Sequence, residues 1–232
     1  MAPPRAGTHR HPRHPRWTAH PRSTHTTPGQ NVPYSGGVSK LETVPKAAPR
    51  PAPRQRLLDT ASRLFYMEGI RGVGVDRVMA EAEVARGSFY RHFAGKEDLV
   101  RAYLETTDQG IRSRFRQARE HIDDPAALLR GMAEGIGDDL CGEGFRGCPF
   151  INAAAEYPDT SSAVHQAVLT HRTWFHGVIL DAFTELGAAD PEWSAAATVA
   201  LRDGAMVAGY LGNPQSARTT LLRGVETVVA AH

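Results

Sequence analysis

Cysteine is nearly missing from the 232 residues: Cys141 and Cys148 are too few for a disulfide framework and wrongly spaced for a Cys-x-x-Cys metal or redox motif. Both are read as reduced thiols. No run approaches the ~18 uncharged apolar residues of a membrane helix, and the first fifty residues lack the apolar stretch of a secretory signal. A cytoplasmic protein without a membrane partner is expected. Alternating β-branched runs are also missing, which excludes a sheet as the organising element. There is no Gly-x-Ser-x-Gly and no His-Glu-x-x-His, and His171 and His176 stand five apart instead of the four of a zinc-binding helix pair. The glycine-rich stretch 141–148 lacks the Lys-Ser/Thr ending of a phosphate-cradling loop. No enzyme activity, cofactor or metal is expected.

What the chain does have is helical periodicity and an uneven charge. Residues 1–50 carry eight basic and one acidic side chain, residues 51–100 eight and seven, and residues 101–232 eleven and seventeen. A front-loaded positive charge suits contact with a polyanion. Residues 1–53, rich in Pro, Arg, His, Thr and Gly, have too few apolar side chains to offset ordering entropy and are expected to be disordered. They read either as a basic arm adding phosphate affinity or as a dispensable extension, including one whose true start is Val38 or Val44.

After Pro53 the apolar period is 3.6 throughout, and the chain is expected to be all-α. Leu57, Leu58, Ala61, Leu64 and Phe65 form one stripe, placing a first helix at about 53–68 with Gly69 as a left-handed cap. Short helices follow at about 75–82 and 86–93, joined by a turn of three or four residues, which makes a helix-turn-helix. Longer helices are placed at about 95–121, 125–140, 149–156, 161–187, 191–211 and 214–231. Asp124-Pro125, Asp190-Pro191 and Asn213-Pro214 each set a capping side chain before a first-turn proline.

The chemistry concentrates at 84–99, Val-Ala-Arg-Gly-Ser-Phe-Tyr-Arg-His-Phe-Ala-Gly-Lys-Glu-Asp-Leu. Phe89 and Phe93 share one helix face, leaving Arg86, Ser88, Tyr90, Arg91 and His92 around the other. Arginine can meet guanine edges bidentately, hydroxyls suit phosphate oxygens, and Gly87 allows close backbone approach. An ordinary amphipathic helix with a solvated face would look similar. Lys96 tips the balance, because a cation at a helix start is locally unfavourable unless an anion docks on the free N–H groups there. Both side chains, Arg91 and Lys96, are expected to be exposed.

The stretch 54–105 resembles the DNA-binding domain of the tetracycline-repressor (TetR) family. The resemblance rests on the first apolar stripe with Gly69, on Val75-Asp76-x-Val78, and on Gly87-Ser-Phe-Tyr-Arg-His-Phe-x-x-Lys-Glu-Asp-Leu99. It departs from the family pattern at Gly74, Glu83 and Ala85, which replace a Ser/Thr cap, a turn glycine and a capping serine. The resemblance implies that Tyr90, His92 and Lys96 hold phosphates of double-stranded operator DNA. Arg77, Arg86, Ser88 and Arg91 would then face bases or nearby phosphates. It implies an N-terminal three-helix helix-turn-helix domain at 54–100 and a ligand-binding, dimerising helical domain at 101–232. The expected function is a homodimeric repressor on a palindromic operator, released by an unknown small molecule.

In such a homodimer the last two helices would pair through faces holding Ala196, Ala200, Ala208, Val225 and Val229, although packing within one chain would use the same residues. Candidates for the ligand cavity are Phe115, Met132, Phe150, Asn152, His171, Trp174, Phe175 and Met206. Cys148 joins them either as a redox-sensitive thiol near Arg146 or as an inert buried one. The rival reading is a helical adaptor that has lost DNA binding.

Overall fold

A computed structural model describes residues 50–231, in which helices joined by loops are the only regular elements and no strand occurs. The basic extension is placed at 1–53, and its residues up to 49 lie outside the described ones. The helices are α1 (Pro53–Glu68), α2 (Val75–Glu81), α3 (Arg86–His92), α4 (Lys96–Arg119), α5 (Pro125–Cys141), α6 (Pro149–Glu156), α7 (Ala163–Leu186), α8 (Pro191–Tyr210) and α9 (Pro214–Ala230). Every helix expected from periodicity is present, with ends shifted by a residue or two.

The starts follow from cap chemistry. Asp124 accepts from the N–H groups of Ala126 and Ala127, Asp190 from Trp193 and Asn213 from Ser216, each followed by proline at the first helical position. Ser162 caps α7 by accepting from His165, so that helix opens at residue 163, not 161. Gly69 corrects an expectation: its φ of 86° is positive, but its ψ of 149° is extended, so α1 ends without the left-handed cap.

Apolar stripes then set the packing. Leu57, Leu58, Ala61, Leu64 and Phe65 of α1 are all buried, against α2, α3 and α4. Phe89 of α3 is buried completely, worth roughly 2–3 kcal/mol by area. The long α4 serves two sets of partners: Phe65 of α1 meets Tyr103, while Asp108 and Phe115 further along meet His171 and Trp174 of α7. α9 lies on α5 and α8. Val225 and Val229, expected on a face for a second chain, are instead buried in this packing, because they share the α9 stripe of Ala217, Leu221 and Val228. Ala196, Ala200 and Ala208 of α8 are exposed. No helix of the described residues is long and apolar enough to cross a membrane.

Candidate nucleic-acid interface and internal cavity

α3 presents the polar face that its sequence promised. Phe89 and Phe93 stack inward with ring centroids 5.8 Å apart, and Tyr90 sits edge-on to Phe89 while its ring remains 55% exposed. Arg86, Gly87, Arg91 and His92 are exposed and Ser88 is half-buried. Arg91 and His92 form no ion pair among the described residues. Arg86 pairs with Asp76 at 2.6 Å, and Arg77 is held between Glu68 and Glu81 at 2.5 and 2.9 Å. Those two cations must exchange a carboxylate for any phosphate they meet.

The α2–α3 turn explains the departure at Glu83. Its φ of 51° is left-handed, the conformation a turn glycine would adopt freely. Arg56 of α1, unnoticed in the sequence, fastens this turn by donating from Nε to the Ala82 carbonyl (3.0 Å) and from Nη2 to that of Glu83 (3.1 Å). Lys96 is half-buried, not exposed as expected, because its stem lies against the α1–α2 connection and its Nζ donates to the Arg71 carbonyl at 3.3 Å. Burial holds its pKa below the usual lysine range, against the opposing pull of Glu156. Gly95 gives α4 no side-chain cap, so its first N–H groups have no side-chain acceptor, while the ammonium of its first residue is engaged by the Arg71 carbonyl.

Behind this unit lies a cleft of about 830 Å³ between α1, α4, α7, α8 and the loop 142–147. Of the candidates, His171, Phe175 and Met206 line it, together with Tyr66, Tyr103 and Arg202. Phe115, Met132 and Trp174 line a neighbouring cavity of about 250 Å³, shared with Phe175. Three candidates lie elsewhere. Phe150 is core, stacked on His171 at 3.6 Å between centroids. Cys148 is 2% exposed and borders none of these cavities, which counts against direct reaction with a dissolved oxidant. Asn152 sits on the opposite side of α6, near a depression of about 260 Å³, and donates to the Arg146 carbonyl at 2.9 Å. Enlarging Asn152 therefore would not fill the main cavity.

A charged cluster that sequence reading missed lies behind the cavity wall and reaches the cavity through His171 and Arg202. Asp108 accepts from Arg112 Nε at 2.6 Å and meets His171 Nδ1 at 2.8 Å. Burial pushes the His171 pKa down while Asp108 pulls it up, and the net direction is down. Arg202 donates from Nη1 to Asp203 (2.9 Å) and to Cys148 Sγ (3.3 Å), and Arg172 takes the other Asp203 oxygen at 2.7 Å. The signal was available: Arg202 interrupts the apolar α8 stripe of Ala195, Thr198, Ala205 and Met206.

Residues 57–103 match the model of the family described as bacterial regulatory proteins, tetR family. A crystal structure of a TetR-family transcriptional regulator from Streptomyces coelicolor is 46% identical, with a TM-score of 0.75 over 77% of this chain and 95% of that one. The chain belongs to the TetR family of transcriptional regulators. It is thus a DNA-binding, helix-turn-helix protein. It is also 29% identical to the transcriptional regulator LmrA of Bacillus subtilis over 116 residues, 49% of this chain and 62% of LmrA. Identity to the transcriptional activator FasR of Mycolicibacterium smegmatis is 32% over 90 residues, 39% of this chain and 41% of FasR. Both matches span less than two thirds of the relative.

In this TetR-family chain the cavity wall and the helix-turn-helix are tied at two points. Tyr66 of α1 donates from its hydroxyl to the Gly147 carbonyl (3.0 Å) and accepts from the Arg146 N–H (2.9 Å), and the loop bends to reach it through Gly147 at φ 84°. At the other end of α6, the Glu156 carboxylate accepts from the N–H groups of Ile70 (3.0 Å) and Arg71 (2.6 Å). Arg71 returns a bond to the Glu156 carbonyl at 2.7 Å. The loop and α6 therefore touch α1 and the α1–α2 connection on one side and the cavity on the other.

Proposed function

We propose that the protein is a ligand-released repressor that binds a palindromic operator as a homodimer, through a helix-turn-helix domain at about 54–100 and a sensing and dimerising domain beyond. The observation that carries this reading is the pair of ties from the cavity wall to α1. A molecule that moves the 142–147 loop or α6 acts directly on the elements that aim α3. The change in operator affinity then equals the molecule's differential affinity for the two arrangements, typically about 1–3 kcal/mol.

On DNA, Tyr90, His92 and Lys96 hold phosphates, while Ser88 and Arg91 reach bases or the adjoining backbone. Arg77 and Arg86 join them on release from Glu68, Glu81 and Asp76. The two copies meet through α8 and α9, where Ala200, Gly204 and Ala208 leave a shallow exposed groove, and Val207 and Leu211 near the end of α8 are exposed as well. Pairing doubles the bases read, since one helix-turn-helix covers a single half-site.

The test is titration of the DNA upstream of the protein's own gene, followed by fluorescence anisotropy across a salt series. Specific, salt-dependent binding is expected, and Lys96→Ala should weaken it on all sequences and lower the salt slope by about one. Wild-type affinity in Lys96→Ala removes the phosphate clamp. No salt-dependent binding at all favours a helical adaptor. FasR's name says activator, so a reporter gene downstream of the site decides the sign: expression should rise when the protein is deleted.

A further inference from the structure

The cleft of about 830 Å³ has largely apolar walls, and the buried cation in its floor, Arg202, has only a shared carboxylate as its partner. Arg202 is buried, its side chain only 9% exposed, on the inner face of α8. Both of its hydrogen bonds leave from Nη1, to Cys148 and Asp203, and Nε has no partner among the described residues. Asp203 is shared with Arg172, and Asp108 is engaged by Arg112 as well as His171. Behind the floor two carboxylates, Asp108 and Asp203, thus serve three guanidinium groups, those of Arg112, Arg172 and Arg202, and of these five Arg202 alone lines the cleft. An arginine cannot shed its proton to relieve burial. The face of the Phe175 ring, 5.3 Å from the guanidinium carbon, offsets part of the cost and leaves the charge in place.

We propose that the effector is an organic monoanion, a carboxylic acid with an apolar body, whose carboxylate is held by Arg202. This rests on the ligand-sensing reading above and names the class of ligand. One buried guanidinium in a largely apolar wall matches a monoanion, whereas a phosphate dianion would carry unpaired negative charge into an apolar site. With Nη1 bonded and Nε facing the void beside Thr198, Nη2 is the guanidinium donor left for a carboxylate oxygen, and the walls at Tyr103, Ile111, Phe175 and Met206 suit a ring system or an alkyl chain. The volume accommodates a ligand of ordinary drug size. At the rim, Asp138 and Asp139 are paired with Arg218 and Arg114, and Glu143 is the one lining carboxylate without an ion pair among the described residues. Nε and the Thr198 hydroxyl, also unpartnered, border a separate void of about 10 Å³, room for roughly one water and no ligand.

The test uses the full-length protein and matched probes: 1-naphthoate, 4-phenylbenzoate and decanoate, each against its neutral primary amide. Binding is read by calorimetry and by the fluorescence of the tryptophans. At least one acid should bind about tenfold or more tightly than its amide. Arg202→Met should erase that preference, leaving acid and amide alike, and Arg202→Lys should keep part of it. Melting curves and operator binding of the two variants show that they fold. Amides binding as well as acids, a preference that survives Arg202→Met, or no binding of any acid would each overturn the assignment. Operator release by neutral compounds would overturn the anion alone, whereas acid binding by a protein without operator affinity would overturn the sensor and leave the anion site standing.

Discussion

Glu83 carries a left-handed backbone that costs a non-glycine residue about 1–2 kcal/mol, while a glycine there would lose about 0.5–1 kcal/mol more chain entropy on folding. Its ion pair with Arg50 is exposed on both sides and contributes little. Glu83→Gly should therefore stabilise the protein by up to about 1 kcal/mol, read as a higher urea midpoint at unchanged slope. A lower midpoint would mean that the Glu83 side chain matters more than its backbone. His171 makes a second prediction. Its pKa is depressed by burial against the pull of Asp108 on α4, with Arg112 and Arg202 adding to the depression and the Phe150 ring covering it. Its unfolded-state pKa lies near 6.5, so on acidification the unfolded chain takes up the proton first. Folding stability contributed by His171 is full above that pH and falls as pH drops toward the folded value. His171→Gln should flatten the loss of stability between about pH 7 and 5.5; an unchanged profile would assign that loss to other groups.

Element by element, legibility tracked how local the cause was. Helix starts with an Asx-Pro pair were readable because cap and helix lie within four residues of each other, and the α3 pattern was readable because a buried Phe89–Phe93 face dictates an exposed opposite face. The jobs of Arg56 and Glu156 were not legible, since the backbone groups they fasten lie 26 and 86 residues away, as in the Arg56 bond to Ala82 and the Glu156 bond to Ile70. Asn152 was misplaced for a related reason. On a helix of eight residues flanked by loops, the sequence gives no indication of which side meets the cavity. Glu156 tests whether its long-range bonds hold the α1–α2 connection. Glu156→Gln replaces two charge-assisted acceptor bonds by weaker ones, a change of about 1 kcal/mol. The amides of Ile70 and Arg71 should then exchange faster in deuterated water and operator affinity should fall. Unchanged exchange at both amides would show that α6 does not brace the helix-turn-helix.

For the whole molecule, the decisive question is what covers the outer face of α8 and α9. Leu211 is 76% exposed, Trp193 60% and Val207 47%, yet between them run small residues, an arrangement that favours another helix pair over solvent. Gly204 lies in the floor of that groove, and a Cβ added there meets nothing within 4 Å in the single chain. Gly204→Arg should thus leave the monomer folded, and slightly favoured by helix propensity, by about 1 kcal/mol or less. Against a second copy the same side chain would place a bulky cation in a closely packed interface. If the copies meet there as proposed, sedimentation should find dimers for wild type and monomers for the variant, with helical circular dichroism retained. Operator affinity should drop steeply, because two linked half-sites become one. A variant that remains dimeric with full operator affinity would move the dimer interface away from the α8–α9 groove.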